Sequence, residues 1–420
     1  MTVVSITASR NASNIPKSRP RTEWIDWITF TIILALIALP HQNLLVLPIG
    51  SYKINIADIF FGLLLATSII CIALRNKVDR RALFGVLVFV VIFAYFAASV
   101  VVLNYDFNIC ISILRNGFLP FITASFLFNI DWHLKIETVI KWIAISCAIS
   151  GIIAVVMNFA YAEFYKNINI DISESMGDRL YWYPASIALF IPCVFIIPMR
   201  WFLRLPILLF VTIAVTATQS RTLILGYLCL SFAVILIGSR SLLKTILICS
   251  CALLSTVIIA NSIFDNQSIE LLLSRFGQNE NFYEAVETAT FESRGEMFNQ
   301  YADRIQEYNL FGSGFGRPYS IRLDQTRVFV SDISLISFYF PMGIPGACLL
   351  LSFWWLCWKR LRAAKQRFIT RKVAFGLQWI LCMACLMSTN WDLYSRTPFV
   401  VVLAFLIAVC RSSSMYQQET

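Results

Sequence analysis

Charge is scarce in this chain of 420 residues: only 14% are Asp, Glu, Lys or Arg, whereas soluble globular domains carry about one quarter. Apolar residues make up 58% of the sequence, and the mean hydropathy is +0.72. They form continuous runs of the length that a helix needs to cross a bilayer, about 20 residues. Continuous runs, unlike alternating ones, argue against a β-barrel. The composition therefore predicts an all-α fold, a polytopic bundle of transmembrane helices.

Histidine is also scarce, with only His41 and His133 in the whole chain. A histidine-based metal site is therefore not expected. The twelve cysteines lie almost entirely within the apolar runs, where cysteine behaves as a small apolar side chain. We accordingly expect neither a metal nor another cofactor.

The apolar runs predict about twelve membrane spans. Their bounds are 25–47, 56–74, 82–103, 108–128, 138–160, 183–199, 205–219, 222–238, 244–262, 331–357, 373–390 and 397–410. The first run is interrupted near Pro40, and in an alternative interpretation the span ends there. The resulting division is a tail (1–24), spans 1–9 (25–262), a long loop (263–330), spans 10–12 (331–410) and a second tail (411–420).

Basic residues give the predicted orientation. The short segments assigned to one side of the membrane hold 22 Lys and Arg, and those assigned to the other side hold five. Because short cytoplasmic loops are enriched in Lys and Arg, the richer side is predicted to be cytoplasmic. Both termini then lie in the cytoplasm and the long loop lies outside. The net charge of +10 is explained in this way without a nucleic-acid partner.

The loop 263–330 is a long polar segment with six Arg, no Lys and ten acidic residues. Residues 292–308 have helical periodicity, and their apolar stripe includes Phe298 and Tyr301. Arg294 falls on the same stripe, where an unpaired charge is costly. This amphipathic helix is therefore predicted to lie along the outer membrane surface with Arg294 pointing inward. Glycines at 312, 314 and 316 are predicted to end it.

Two further arginines lie near the predicted outer ends of spans. Arg221 stands in the short turn after Gln219, so it either belongs to a preorganised anion site or snorkels to the interface. Arg115 lies inside the fourth span, where a charge marks a functional site unless it forms a structural ion pair. Gly117 and Pro120 predict that the helix beside Arg115 is irregular.

Acidic residues share this predicted outer level. Asp332 opens the tenth span, and Asp392 and Arg396 lie in the turn before the last span. The latter two form either a local salt bridge, which is worth little when exposed, or part of an outer pocket. A group of arginines beside hydrocarbon suits an anionic head group with a lipid tail, such as a lipid diphosphate.

Four stretches of the sequence resemble the O-antigen ligase and Wzy-type polysaccharide polymerase superfamily of bacterial inner membranes. They are TQSRTLILGYL, FESRGEMFNQYADRIQEYNLFGSGFG, VSDISLISFYFPMGIPG and MSTNWDLYSRTP. Their order and spacing fit this family over most of residues 200–410, as do the twelve spans and the long outer loop.

The resemblance implies a metal-independent glycosyltransferase of the GT-C-like type that uses undecaprenyl-diphosphate-linked oligosaccharide at the periplasmic face. It implies that Arg221 and Arg294 bind the diphosphate and that Asp332 or Glu292 is the general base. The remaining substrate contacts that we expect are Arg115, Gln219, Tyr301, Arg317, Asp392 and Arg396. The family ligases typically show a His-Asn pair where this chain has Ser331-Asp332. The missing histidine favours a polymerase over a ligase.

Other classes of function stay open at this point. A lipid-linked glycan flippase or another transporter also suits twelve spans, although transporters usually have repeat symmetry and a site at the midplane. A scaffold subunit would tolerate loss of each loop arginine. The enzyme reading implies an inner-membrane location, contact with the bilayer, and a chain-length regulator and a flippase of the same pathway as partners.

Overall fold

The computed structural model describes residues 23–38, 46–49, 52–75, 82–160, 184–218, 220–238, 310–315, 334–364, 368–387 and 398–415. Its α-helices are α1 (Glu23–Ala38), α2 (Ile56–Leu74), α3 (Ala82–Val101), α4 (Phe107–Ile113), α5 (Leu119–Leu127), α6 (Ile136–Ala160), α7 (Trp201–Ala217), α8 (Arg221–Gly238), α9 (Ser334–Ala363), α10 (Phe368–Met387) and α11 (Phe399–Met415). A π turn (Leu114–Phe118) joins α4 to α5, and a 3-10 helix (Ala185–Phe195) lies between α6 and α7. Two short strands, β1 (Val46–Ile49) and β2 (Tyr52–Asn55), pair between α1 and α2.

Four helices in the described part of the chain are long and apolar enough to cross a bilayer. They span Ile56–Leu74, Leu83–Val101, Ile136–Val156 and Ser337–Ala363. Four shorter apolar helices accompany them, at Ala185–Phe195, Trp201–Ala217, Leu223–Ile237 and Phe399–Ser412. A helical protein with candidate membrane spans is thus confirmed. The count of twelve stays a prediction, and the predicted ninth span, 244–262, lies outside the described residues.

The first predicted span, 25–47, is shorter in the structure. Helix α1 ends at Ala38, two residues before Pro40. A residue that precedes proline avoids the helical conformation, which accounts for this end, and the alternative interpretation is the correct one. The chain then forms the antiparallel β1–β2 hairpin, in which Ile49 pairs with Tyr52. Only two residues separate the strands, the length of a tight hairpin turn. The hairpin is short, and the fold of the described residues is helical, as predicted.

The sixth predicted span, 183–199, forms a 3-10 helix that contains Pro192. Proline removes a backbone donor and disfavours a regular α-helix. At a rise of about 2 Å per residue, its 11 residues cover about 22 Å. Residues 185–194 are all buried, as expected for a helix that is apolar on every side.

Helix α11 is the centre of the bundle. Every residue from 399 to 410 is at most 2% exposed, because α5, α6, α9, α10 and the 3-10 helix pack around it. By contrast, α2 and α3 leave large apolar side chains such as Leu63 and Leu87 exposed. Helices whose outer faces are apolar and whose backbone groups are bonded internally are compatible with a bilayer.

No disulfide joins the ten described cysteines. Six of them are buried among apolar side chains, as predicted for small core residues. Cys382 and Cys385 have the spacing of a Cys-x-x-Cys motif, but both lie on the apolar helix α10.

A cluster of polar side chains at one end of the bundle, which we call the polar clamp, consists of Asp26, Arg75, His133 and Arg360. Asp26 is 1% exposed, and its carboxylate forms an ion pair with Arg75 and accepts the backbone N–H of His133 at 2.9 Å. Arg360 donates to the side-chain oxygen of Asn129 at 2.9 Å. Since buried charges are tolerated when they are paired, these contacts hold α1, α2 and α9 against the segment before α6.

A hydrogen bond ties α11 to the same segment. The backbone N–H of Trp132 donates to the Ser412 hydroxyl at 2.9 Å, and both residues are buried.

Replacing Ser412 by alanine removes this acceptor, and we expect a loss of about 1–2 kcal/mol in the free energy of unfolding. Thermal unfolding of the detergent-purified protein measures it. Ser68→Ala is the control, since Ser68 donates to Leu64 of its own helix; equal losses in both variants would contradict the prediction.

Candidate functional site

An ion pair joins α2 to the π turn. The Arg115 Nε lies 3.0 Å from the Asp58 Oδ2, and the two side chains are 26% and 7% exposed. A charged side chain within an apolar helix is costly and usually functional. Arg115 was singled out from the sequence, and the structure shows it in an ion pair, one of the two predicted roles; its part in a functional site stays a prediction. Asp58 was missed, although it is the one acidic residue in Ile56–Leu74.

The π turn explains how Arg115 reaches α2. The Leu119 N–H donates to the Leu114 carbonyl, five residues earlier, instead of four. Pro120 has no N–H, and its ring would clash with the carbonyl four residues before it in a regular α-helix. The wider turn relieves that clash. The irregular helix predicted from Gly117 and Pro120 is therefore present, and Arg115 lies within it.

A bend in α9 leaves backbone groups of the helix without their usual partners inside it. Gly343 has φ 61° and ψ −144°, which is not helical. Pro345 has no N–H to offer the Pro341 carbonyl four residues earlier. That carbonyl instead accepts the Gly314 N–H at 3.1 Å, from a distant part of the chain.

The segment 310–315, which we call the docked turn, satisfies the other freed groups. The Ser313 N–H donates to the Phe340 carbonyl at 2.8 Å, and the Ile344 N–H donates to the Leu310 carbonyl at 3.0 Å. An unsatisfied backbone group costs several kcal/mol in a membrane. The bend in α9 and the docked turn consequently depend on each other.

Glycine permits this close backbone contact. Gly312 has φ 74°, and a Cβ there would lie 2.5 Å from the Gly343 nitrogen. A Cβ on Gly343 would overlap the Leu310 carbonyl oxygen. Both positions therefore require glycine for conformation and for space. The predicted helix that Gly312 would end, 292–308, lies outside the described residues; the structure shows that Gly312 and Gly343 allow the turn to pack in the bend of α9.

Phe315 connects the docked turn to the π turn. Its ring stacks on Phe118, with centroids 5.0 Å apart and an angle of 14° between the ring planes. Its backbone N–H donates to the Ser99 hydroxyl on α3 at 2.8 Å. The docked turn, which belongs to the long loop, is thus packed against the π turn that carries Arg115.

The ring contacts continue through the bundle as an aromatic column. The successive rings are Phe315, Phe118, Phe338, Phe121, Phe353 and Phe128, with neighbouring centroids 4.7 to 5.6 Å apart. The guanidinium of Arg360 lies 3.5 Å from the centroid of the last ring. The column therefore leads from the docked turn to the polar clamp.

The predicted site around Arg221 is described in part. Helix α8 begins at Arg221, whose side chain lies outside the described residues. The Ser220 hydroxyl accepts the Leu223 N–H at 3.4 Å, and the Thr218 hydroxyl accepts the Ser220 N–H at 3.3 Å. Ser220 thus caps the start of the helix, and Thr218 in turn binds the backbone of Ser220, which are local structural roles.

The other predicted site residues lie outside the part of the chain that the structure describes. They are Gln219, Glu292, Arg294, Tyr301, Arg317, Asp332, Asp392 and Arg396. Their convergence with Arg115 stays a prediction.

The described geometry is suited to holding an anion. A guanidinium is always charged and presents a planar fork of donors that matches phosphate oxygens. Asp58 compensates this charge from the buried side, while about a quarter of the Arg115 side chain stays exposed (26%). A ligand that approaches the exposed side meets a cation whose counter-ion is buried behind it.

Comparison of the chain with protein-family models gives no match, and comparison with curated proteins gives no significant match.

Proposed function

We propose that this chain is a polysaccharide polymerase of the bacterial inner membrane, which joins undecaprenyl-diphosphate-linked repeat units at the periplasmic face. The observation that best supports the proposal is the position of Arg115. Its side chain, which is 26% exposed, forms an ion pair with buried Asp58, and the docked turn of the long loop packs against the same π turn. A cation at the end of an apolar bundle suits a phosphorylated head group with a lipid tail.

The proposed chemistry divides the predicted residues by role. Arg221 and Arg294 bind the diphosphate and stabilise the negative charge that grows on it as the glycosidic bond breaks. Asp332 or Glu292 removes the proton from the attacking hydroxyl of the acceptor. Arg115 supplies a further positive charge near the head group. The absence of a His-Asn pair at positions 331 and 332 favours a polymerase over a ligase.

The proposal includes twelve spans with both termini in the cytoplasm. Asp58 and Arg75 lie near opposite ends of α2, about 25 Å apart at the helical rise, which is close to the hydrocarbon thickness of about 30 Å. The polar clamp joins residues from segments predicted to be cytoplasmic, 75–81, 129–141 and 358–372. The docked turn contacts Ser99 and Phe340, which lie towards the predicted outer ends of the spans 82–103 and 331–357. This separation supports the orientation.

Replacing Arg221 or Arg294 by alanine is expected to reduce long polymer at least about tenfold, because each removes one charge that stabilises the transition state. The test is complementation of a deletion strain with variants shown to be present in the membrane. The length distribution of the polysaccharide and the lipid-linked pool are both measured. Arg275→Ala is the matched control, an arginine of the same loop outside the four similar stretches.

The place where lipid-linked repeats accumulate separates the alternatives. Single repeats that reach the outer leaflet without lengthening support a polymerase. Accumulation on the cytoplasmic leaflet would indicate a flippase, and normal long polymer in both variants would remove these arginines from the site.

A further inference from the structure

We propose that Phe118 and Phe315 are positioning residues for Arg115, so that the docking of the long loop determines where the guanidinium stands. Phe118 belongs to the π turn and Phe315 to the docked turn, and their stacked rings join the two turns. The inference rests on the proposed function only for the identity of the anion that Arg115 binds.

The π turn presents its two ends to different partners. Arg115, near its start, contacts Asp58 on α2, whereas Phe118, its last residue, contacts Phe315 and Phe338. The two residues are three positions apart, a spacing that brings side chains to neighbouring positions on a regular α-helix. The i→i+5 turn instead directs the two side chains to different helices. Because both residues belong to the same short turn, a rotation of the π turn that moves Phe118 also moves Arg115.

Phe118 has little freedom to move alone. It is 1% exposed, with the ring of Phe315 stacked on one side and the edge of Phe338 packed against it at 5.3 Å. Protein interiors are packed as densely as organic crystals, so a ring in such a position follows its neighbours.

Phe315 is held by groups outside the π turn. The Ser99 hydroxyl accepts its backbone N–H at 2.8 Å and donates to the Tyr95 carbonyl at 2.7 Å, which ties it to α3. The preceding residues bind the bend of α9, since Gly314 donates to Pro341 at 3.1 Å. The position of Phe315 is thus set by α3, α9 and the rest of the docked turn. Through the ring stack it sets the π turn, and through the π turn it sets Arg115.

The test is a double-mutant cycle on the full-length protein in detergent or nanodiscs. Phe315→Leu removes the ring stack, Asp58→Asn removes the counter-ion, and the double variant closes the cycle. Phe190→Leu is the matched control, because the buried Phe190 ring stacks on Phe399 at 4.9 Å, between the 3-10 helix and α11. Two readouts are taken, the unfolding midpoint without ligand and the dissociation constant of inorganic pyrophosphate.

Both leucine variants are expected to lower the unfolding midpoint, because each loses a ring stack. Only Phe315→Leu is expected to weaken pyrophosphate binding, by roughly tenfold, which is within the range of coupling between connected residues. The midpoint shifts of Phe315→Leu and Asp58→Asn are expected to be non-additive, whereas those of Phe190→Leu and Asp58→Asn add.

Additive midpoint shifts in the Phe315→Leu cycle would overturn the positioning role, whatever pyrophosphate does. Equal loss of pyrophosphate binding in Phe315→Leu and Phe190→Leu would also overturn it, because the effect would then be general destabilisation. If the wild type does not bind pyrophosphate, the proposed anion site fails, and the ligand-free cycle still decides the positioning role. If Phe315→Leu is not recovered folded, the cycle is run with Phe315→Met, which keeps more of the apolar volume.

Discussion

Replacing Gly343 by alanine is expected to lower the free energy of unfolding by about 4 kcal/mol or more, the largest effect of any single substitution considered. The φ of 61° with a ψ of −144° lies in a region that is essentially restricted to glycine. A Cβ there would also overlap the Leu310 carbonyl oxygen. The docked turn must then leave the bend, and the Phe340 and Pro341 carbonyls lose their hydrogen bonds to it.

Gly62 provides the control for this substitution. It lies inside α2, and no heavy atom comes within 4 Å of a Cβ built there. Gly62→Ala should therefore cost nothing, since alanine favours a helix over glycine by about 1 kcal/mol. Thermal unfolding of the two purified variants is compared with that of the wild type. A Gly343→Ala protein as stable as Gly62→Ala would mean that the docked turn is not fixed in the bend.

The second large effect is expected for Arg115→Ala, about 3 kcal/mol in the free energy of unfolding. Removing one partner of a buried ion pair leaves the other charge buried and uncompensated, which costs about 3–5 kcal/mol. We place the effect at the lower end because the Arg115 side chain is 26% exposed, although Asp58 is only 7% exposed. Chemical or thermal unfolding in detergent measures it, with exposed Arg362 on the last turn of α9 replaced by alanine as a control.

Replacing both members of the pair distinguishes an uncompensated charge from lost packing. The variant Arg115→Met with Asp58→Leu keeps apolar volume and removes both charges, so it should recover most of the stability that Arg115→Ala loses. It should also weaken pyrophosphate binding, because the positive charge of Arg115 is lost. A double variant as unstable as the single one would show that the pair holds the helices together by more than its charge.

The membrane helices could be predicted from the sequence because a bilayer requires continuous apolar runs. Local chemistry could be predicted as well: Pro120 and Gly117 indicated the irregular helix beside Arg115, and Pro40 indicated the end of α1. The 3-10 helix was not predicted: its apolar residues fit either kind of helix, and Pro192 disfavours a regular α-helix without specifying what replaces it. The β1–β2 hairpin was missed because its strands have four residues each and lie beside long helical runs.

The partners of the site could not be derived, because they depend on how helices pack. Asp58 and Arg115 are 57 positions apart in the sequence, and Gly312 and Gly343 are 31 apart. The lone charges in α2 and in the fourth predicted span were a usable signal for the first pair. For the second pair, Gly312 had a local explanation as a helix end and Gly343 was not singled out, so nothing in the sequence indicated that the two meet.

The aromatic column also determines how well the bundle insulates. Its six rings are at most 1% exposed, and they fill the path between the docked turn and the polar clamp. Water does not enter a cavity that lacks polar partners, so a hydrated ion or a proton on a water chain finds no conducting route along these rings. A bundle that is dry along this axis keeps the two sides of a membrane electrically separate. Under the proposed function, this would prevent leakage of protons along the bundle while a lipid-linked anion is bound at one end.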